Sequence, residues 1–268
     1  VMSHSAVAVV IPAKDEAERI GPTVRAASAL PGVDLVVVVD DGSTDNTQAV
    51  ARASGATVVR HSVNRGKASA METGAKVVRM RDADNAPPRH LLFLDADLGD
   101  TALDVIPLIA PVAEGRVDCT IAALPPQKGA GGHGFVTGLG RRAINHFTGW
   151  NPLQPLSGQR CLSAEAFAAA CPLAKGWGVE VGMTIDLLVA GKRVQEVPCN
   201  IRHRATGNNV RGYMHRLAQF RGVLRAVINR YFNSVRIPLN ATKDAEQNQQ
   251  DYAVYQAWEG PKKKGKNK

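Results

Sequence analysis

The stretch LLFLDADLGD, Leu91 to Asp100, sets four apolar residues in a row against two carboxylates, Asp95 and Asp97, with one small residue between them. An apolar run this short, bounded upstream by Pro87-Pro88-Arg89-His90, reads as a buried strand of a parallel sheet. Its carboxylates then fall at the strand's carboxyl end, where open α/β sheets bind their ligands. Two residues apart in an extended chain, they share one side. Two hard oxygen donors there suit a Mg²⁺ or Mn²⁺ ion that is also held by substrate phosphates. A plainer role fits as well: Asp97 capping the next helix and Asp95 ending a strand, since Asp is common at caps and turns.

Upstream of this stretch, strand and helix patterns alternate with little waste. Val7 to Ile11 is all apolar and is followed by Pro12 and a helix expected over Asp15 to Leu30. A second strand, Leu35 to Val39, ends at Asp40. The turn DGSTDNT then starts a helix that runs to Ser54 and stops at Gly55. Thr57 to Arg60 reads as a third strand, and Asn64-Arg65-Gly66-Lys67 leads into a helix over Ala68 to Arg81. Such a series implies a largely parallel sheet with right-handed crossovers.

Downstream the punctuation changes. PPQKGAGGHG, from Pro125, reads as a loop, and within it Gly129 to Gly134 has the composition of a flap over a ligand or of a plain connection. A helix is expected over Phe135 to Phe147, a strand over Gln159 to Leu162, and a helix over Ala164 to Cys171. GWGVE, Gly176 to Glu180, opens a further helix to Ala190, and Arg193 to Cys199 reads as a strand. A long helix over Tyr213 to Phe232 carries Leu217, Phe220, Leu224, Val227, Ile228 and Tyr231 with arginines between them. It docks on the body with a solvated basic face or lies on a membrane surface. The expected organisation is one α/β domain, a mostly parallel central sheet flanked by helices. Residues 5–124 form a first half and residues 125–235 a second half of that domain, and residues 236–268 a disordered basic tail.

At 268 residues and 44% apolar content the chain can bury a sizeable core. A net charge of +9 points to anionic partners, while 5% aromatic content argues against a base-stacking nucleic-acid binder. Cys119, Cys161, Cys171 and Cys199 show no metal spacing or disulfide framework, which fits a reduced, cytoplasmic protein. No apolar run reaches the roughly 20 residues of a membrane span, and no signal peptide is evident at the amino terminus.

Several charged residues fall at strand ends, and each suits a task on a nucleotide diphosphate. Asp40 can accept a hydrogen bond from a ribose or base. Lys67, after Gly66, can set its ammonium against a phosphate. The chain lacks GxGxxG after its first strand and lacks GxxxxGK[ST], which argues against a dinucleotide fold and against a P-loop NTPase. Glu180 at a helix start and His203 in a basic segment have ordinary structural readings too, a dipole contact and a surface imidazole. Arg202, Arg204 and Arg211 around His203 suit a phosphate or carboxylate.

VVIPAKDE (Val9 to Glu16), VVDDGSTDNT (Val38 to Thr47), NRGKA (Asn64 to Ala68) and DAD (Asp95 to Asp97) together resemble the family 2 glycosyltransferases of GT-A fold, over roughly residues 7–232. QPLSGQR (Gln154 to Arg160), GWGVEVGMTIDLL (Gly176 to Leu188) and RHR (Arg202 to Arg204) are similar to segments of the glucosyl-3-phosphoglycerate synthases. SGQR is also close to a motif of polyprenyl-phosphate sugar synthases, and DDGSTD stands where the first subfamily has DSGSTD.

The resemblance implies a nucleotide-sugar donor, UDP-glucose, and a phosphorylated small-molecule or lipid-phosphate acceptor. It implies Mg²⁺ or Mn²⁺ on Asp95 and Asp97, with His203 as a further ligand. Pro12, Ala13, Glu16, Asp40, Asp41, Lys67, Asp95 and Ala96 would line the donor site. Gly158, Gln159, Arg160, Arg202, Arg204 and Arg211 would meet the acceptor. Glu180 and Asp97 would be catalytic. No nucleic-acid partner is implied, and peripheral membrane contact and a homodimer stay open. The alternatives are transfer to a polyprenyl phosphate at the membrane surface and a nucleotide-sugar-binding protein without transfer activity.

Overall fold

Val7 through Ile11 are buried on both faces, so β1 (Val7–Ala13) has a place only at the centre of a sheet. The computed structural model describes residues 6–124, 134–201 and 210–233. In it β1 pairs in parallel with β2 (Val33–Asp40) and β4 (His90–Phe93), and β3 (Thr57–Arg60) extends the sheet beyond β2. With β5 (Cys119–Ala123), β6 (Arg160–Leu162) and β7 (Val194–Pro198) the sheet has seven strands in the order β3-β2-β1-β4-β6-β5-β7. Among these, β6 alone runs against its neighbours, antiparallel to β4 and β5, while β5 and β7 pair in parallel. The expected mostly parallel α/β sheet is present.

Helices cover both faces. Alternation along the strands sends Val9, Ile11 and Val38 to a core shared with α1 (Ile20–Ser28), a 3-10 segment (Gly99–Leu108) and α4 (Ile109–Ala113). Val10, Val37, Val39 and Phe93 face the other core, with α3 (Lys67–Arg79), α6 (Ala164–Ala170) and α7 (Val179–Val189). Fully burying a residue such as Ile11 or Phe93 contributes about 1.5–3 kcal/mol. The short α2 (Thr47–Ala53) links β2 to β3. α5 (Gly134–Thr148) and α8 (Val210–Phe232) pack outside α7 through Ile144, Val181, Ile185 and Val223. Arg230 fastens α8 to Asp186 of α7, with Nε donating to Oδ1 at 2.8 Å. No helix among the described residues is long and apolar enough to cross a membrane.

Three local expectations need correcting. α1 starts at Ile20 and not at Asp15. The amides that would open that helix are taken by the β2–α2 turn: Asp15 N donates to Ser43 Oγ at 2.9 Å, Glu16 N to Thr47 Oγ1 at 2.8 Å and Ala17 N to Asp45 Oδ2 at 3.1 Å. Asp15 itself sits at φ +54° and accepts from Thr44 N at 2.7 Å. β4 ends at Phe93, so Asp95 and Asp97 belong to a turn, and extended-strand alternation does not set their directions. Between Asp100 and Leu124 the patterning assigns no element. Pro107 and Pro111 there break the α-helical signal into a 3-10 segment and a five-residue helix, after which β5 passes unannounced.

The carboxylate turn is held from behind. Thr23 of α1, fully buried, donates to Ala96 O at 2.9 Å and accepts the Gly99 amide at 2.8 Å.

Candidate active site

Asp40 closes β2 with no solvent exposure. Its Oδ1 accepts from Ser43 N at 2.8 Å, whereas Oδ2 has no hydrogen-bond donor and faces Arg60 Nε at 3.6 Å. A buried carboxylate oxygen in that condition is costly to the fold and ready to accept an N–H. The next residue does something else. Asp41, expected in the donor pocket, has its carboxylate engaged inside the protein, accepting from Arg65 N at 2.8 Å, Gly66 N at 2.7 Å and His61 Nδ1 at 2.7 Å. His61 Nε2 meets Thr73 Oγ1 at 2.9 Å. Burial alone would raise the Asp41 pKa, and these donors together bring it below the ordinary carboxylate value.

This bracing fixes the loop that leads to α3. Gly66, at φ +90°, makes the sharp entry that a side-chain-bearing residue would resist. Lys67 follows as the first residue of the helix, and its Nζ lies 2.8 Å from both Asp95 Oδ1 and Glu180 Oε1. Burial opposes the ammonium charge, but Asp95 and Glu180 outweigh it and hold Lys67 protonated well above the ordinary lysine value. Glu180 stands in the first turn of α7, nearly buried. Carboxylates 28 and 113 residues downstream of Lys67 thus meet on its ammonium.

The segment entering β6 closes the group from the other side. Gln159, without solvent exposure, donates Nε2 to Asp95 Oδ2 at 2.6 Å. A Cβ on Gly158 would lie 2.7 Å from Lys67 Nζ and 3.0 Å from both Asp95 oxygens, so only glycine lets the backbone come this close. Arg160, expected at the acceptor, is 1% exposed and has most of its guanidinium contacts inside the protein. Its Nε donates to Ser157 O at 2.9 Å and its Nη1 to Thr184 Oγ1 at 2.8 Å, and that hydroxyl donates to Glu180 O at 2.9 Å. Arg160 therefore ties the Ser157 loop to the first turn of α7. Gln159, likewise expected at the acceptor, is directed at Asp95.

More anchors lie behind it. Glu196 of β7 accepts from Leu153 N at 2.7 Å and Gln154 N at 2.6 Å, and Arg141 of α5 donates Nε to Pro152 O at 2.8 Å. Burial raises the Glu196 carboxyl despite those two amides.

Of the remaining expected residues, Ala13 O accepts from Asp41 N at 2.8 Å, Pro12 and Glu16 border the same strand end, and Ala96 packs into the core beside Asp97. Arg202, His203, Arg204 and residues 129–133 of the expected flap lie outside the described residues, as does the Arg211 side chain. Among the described residues no three His, Cys, Asp or Glu side chains form a metal cage. Sequence reasoning missed Thr23, His61, Thr184 and Glu196. Each acts through a tertiary partner at least 12 residues away, which no local pattern encodes.

The chain matches the profile of the Glycosyl transferase family 2 over residues 8–165, more than half its length. The chain belongs to glycosyl transferase family 2. It is 30% identical over 205 residues to a glucosyl-3-phosphoglycerate synthase of Mycolicibacterium paratuberculosis, a match that covers 67% of this chain and 59% of the relative. The match thus spans less than two thirds of that synthase. The crystal structure of glucosyl-3-phosphoglycerate synthase from Mycobacterium tuberculosis with Mn²⁺, uridine diphosphate and phosphoglyceric acid superposes with a TM-score of 0.69 at 28% identity. The superposition covers 84% of this chain and 78% of that one. The same synthase with Mn²⁺, UDP-glucose and glycerol 3-phosphate gives 0.65 at 27% identity, over 84% and 80%. The seven-stranded α/β domain has the GT-A fold, and this chain is a glycosyltransferase.

Proposed function

We propose that this enzyme transfers glucose from UDP-glucose to a small phosphorylated acceptor such as 3-phosphoglycerate. The observation that carries the reading is the meeting of Lys67, Asp95 and Glu180 at 2.8 Å contacts on the sheet rim where the Asp40 oxygen lacks a donor. Synthases similar to this chain crystallise with the corresponding nucleotide and phosphorylated acceptors.

Asp40 Oδ2 accepts an N–H of the base, and Lys67 moves onto the diphosphate. The carboxylates of Asp95 and Asp97 are hard oxygen donors, too few for a closed cage, and so fit a divalent ion that takes its other ligands from phosphate. Asp95, Asp97 and His203 would hold it, and a bound Mg²⁺ or Mn²⁺ offsets the charge on the departing diphosphate. Glu180 then lies next to the transferred sugar. In an inverting transfer it takes the acceptor hydroxyl's proton, and in a retaining one it orients the donor. Arg202, Arg204 and Arg211 bind the acceptor's phosphate.

A donor-by-acceptor screen with Mg²⁺ and Mn²⁺, read by mass spectrometry, tests this. Glucosyl-phosphoglycerate is the expected product, and turnover confined to other acceptors would reject the assignment. Arg204→Ala should raise the KM for the phosphorylated acceptor more than that for the donor; equal effects would count against an acceptor-anion role.

A second reading supplies another arm of the screen. α8 exposes Phe220, Leu224 and Ile228 next to the exposed Arg221 and Arg225, a face suited to an anionic lipid surface. Under that reading polyprenyl phosphate in vesicles is glucosylated and phosphoglycerate is not.

A further inference from the structure

Asp95, the proposed metal ligand, already has a cation. Its Oδ1 accepts the Lys67 ammonium at 2.8 Å, and its Oδ2 accepts the Gln159 amide at 2.6 Å. The same ammonium reaches Glu180 at 2.8 Å. Two carboxylates and one lysine make a partly buried group in which Lys67 offsets the negative charge that would otherwise draw in a dication.

We infer that Lys67 is an internal counter-cation that competes with the divalent metal for Asp95, so that the metal is bound tightly only when a nucleotide diphosphate draws the ammonium away. The inference rests on the metal assignment made above for the same site. Its physical basis is simple. Lys67 and a dication placed on Asp95 repel each other at short range in a partly desolvated pocket. A diphosphate offers the ammonium an alternative of equal or greater charge and offers the metal further oxygen ligands, so it relieves the competition and strengthens metal binding together.

Gly158 leaves room for this contact: a Cβ there would sit 2.7 Å from Nζ and 3.0 Å from both Asp95 oxygens. The affinity gain must be reciprocal: whatever factor the nucleotide adds to metal binding, the metal adds to nucleotide binding.

The test is Mn²⁺ binding to the full chain, followed by electron paramagnetic resonance of free Mn²⁺, with and without UDP. Without UDP, Lys67→Met should bind Mn²⁺ at least about tenfold more tightly than the unsubstituted protein, because the competing charge is gone. The factor by which UDP tightens Mn²⁺ binding should shrink in the same variant. Thermal melts establish that each variant is folded, and Lys67→Gln replaces Lys67→Met if the latter is not.

Equal or weaker Mn²⁺ binding in the Lys67 variant overturns the inference. Asp95→Ala separates the two claims. Mn²⁺ binding that survives Asp95→Ala removes the metal assignment and the inference with it, whereas binding that needs Asp95 but ignores Lys67 removes the inference alone.

Discussion

Asp40, Lys67 and Asp95 reach the site from the carboxyl ends of parallel strands and the start of one helix, whereas Gly158 and Gln159 arrive on the segment that enters the antiparallel β6. In the first region sheet register does most of the positioning: once β1 pairs with β2 and β4, the residues after those strands share one rim. In the second, three charged side chains, the buried Arg160 and Glu196 together with Arg141, hold an irregular loop by its own backbone groups. Main-chain polar atoms outside a ladder still need partners, and here charged side chains supply them. In the assignment proposed above, the donor side is thus placed by pairing and the acceptor side by clamps.

The contrast predicts distinct failures on the two sides. The largest loss should come from Asp97→Ala on the donor side, which should lower metal-dependent glucosyl transfer by about 10²–10³-fold, as removal of a transition-state charge partner does. Unchanged turnover would sink the metal assignment. Arg160→Met should lower kcat by roughly tenfold while UDP affinity, measured by calorimetry, stays within about twofold, because it loosens the Gln159 loop and the Glu180 turn but leaves Asp40 and Lys67 in place. A parallel loss of UDP affinity would show that the two sides are not separable.

Asp41→Asn tests the donor side's own brace. It should cost about 1–3 kcal/mol in urea unfolding, since it weakens acceptance from two backbone amides and His61. The pH dependence follows from the direction of the shift. The Asp41 pKa is depressed in the folded protein, so its contribution is complete above the usual carboxylate range, about pH 4, and is lost as pH falls through the lower folded value. The variant should flatten that acid limb, and an identical limb in both proteins would contradict the assignment.

Much of the donor side is legible in the sequence because its signals are local. The apolar runs at Val7 and Leu91, the glycine before Lys67 and the carboxylates after each strand carry their meaning within a few residues. The clamps cannot be read that way. Arg160 resembles an anion-binding residue because a sequence shows its charge and not its burial, and Gln159 and Asp41 show their polarity there but not the partners the fold gives them. The start of α1 is hidden because side chains of the β2–α2 turn, 28 to 31 residues away, capture its first amides. β6 is readable as a strand, but its direction depends on which strands flank it.

The smallest of these effects belongs to Thr23. Thr23→Val keeps the shape of the side chain and removes the hydroxyl that joins Ala96 O to Gly99 N, at a cost of about 1 kcal/mol in the same urea unfolding measurement. A helix with no charge at the catalytic centre thereby carries the template on which the acidic turn is moulded. The proposed catalytic rim can therefore be retuned from its reverse side: a variant there leaves the Asp95 and Asp97 side chains chemically intact, and any change in metal preference it brings reports the shape of the turn alone.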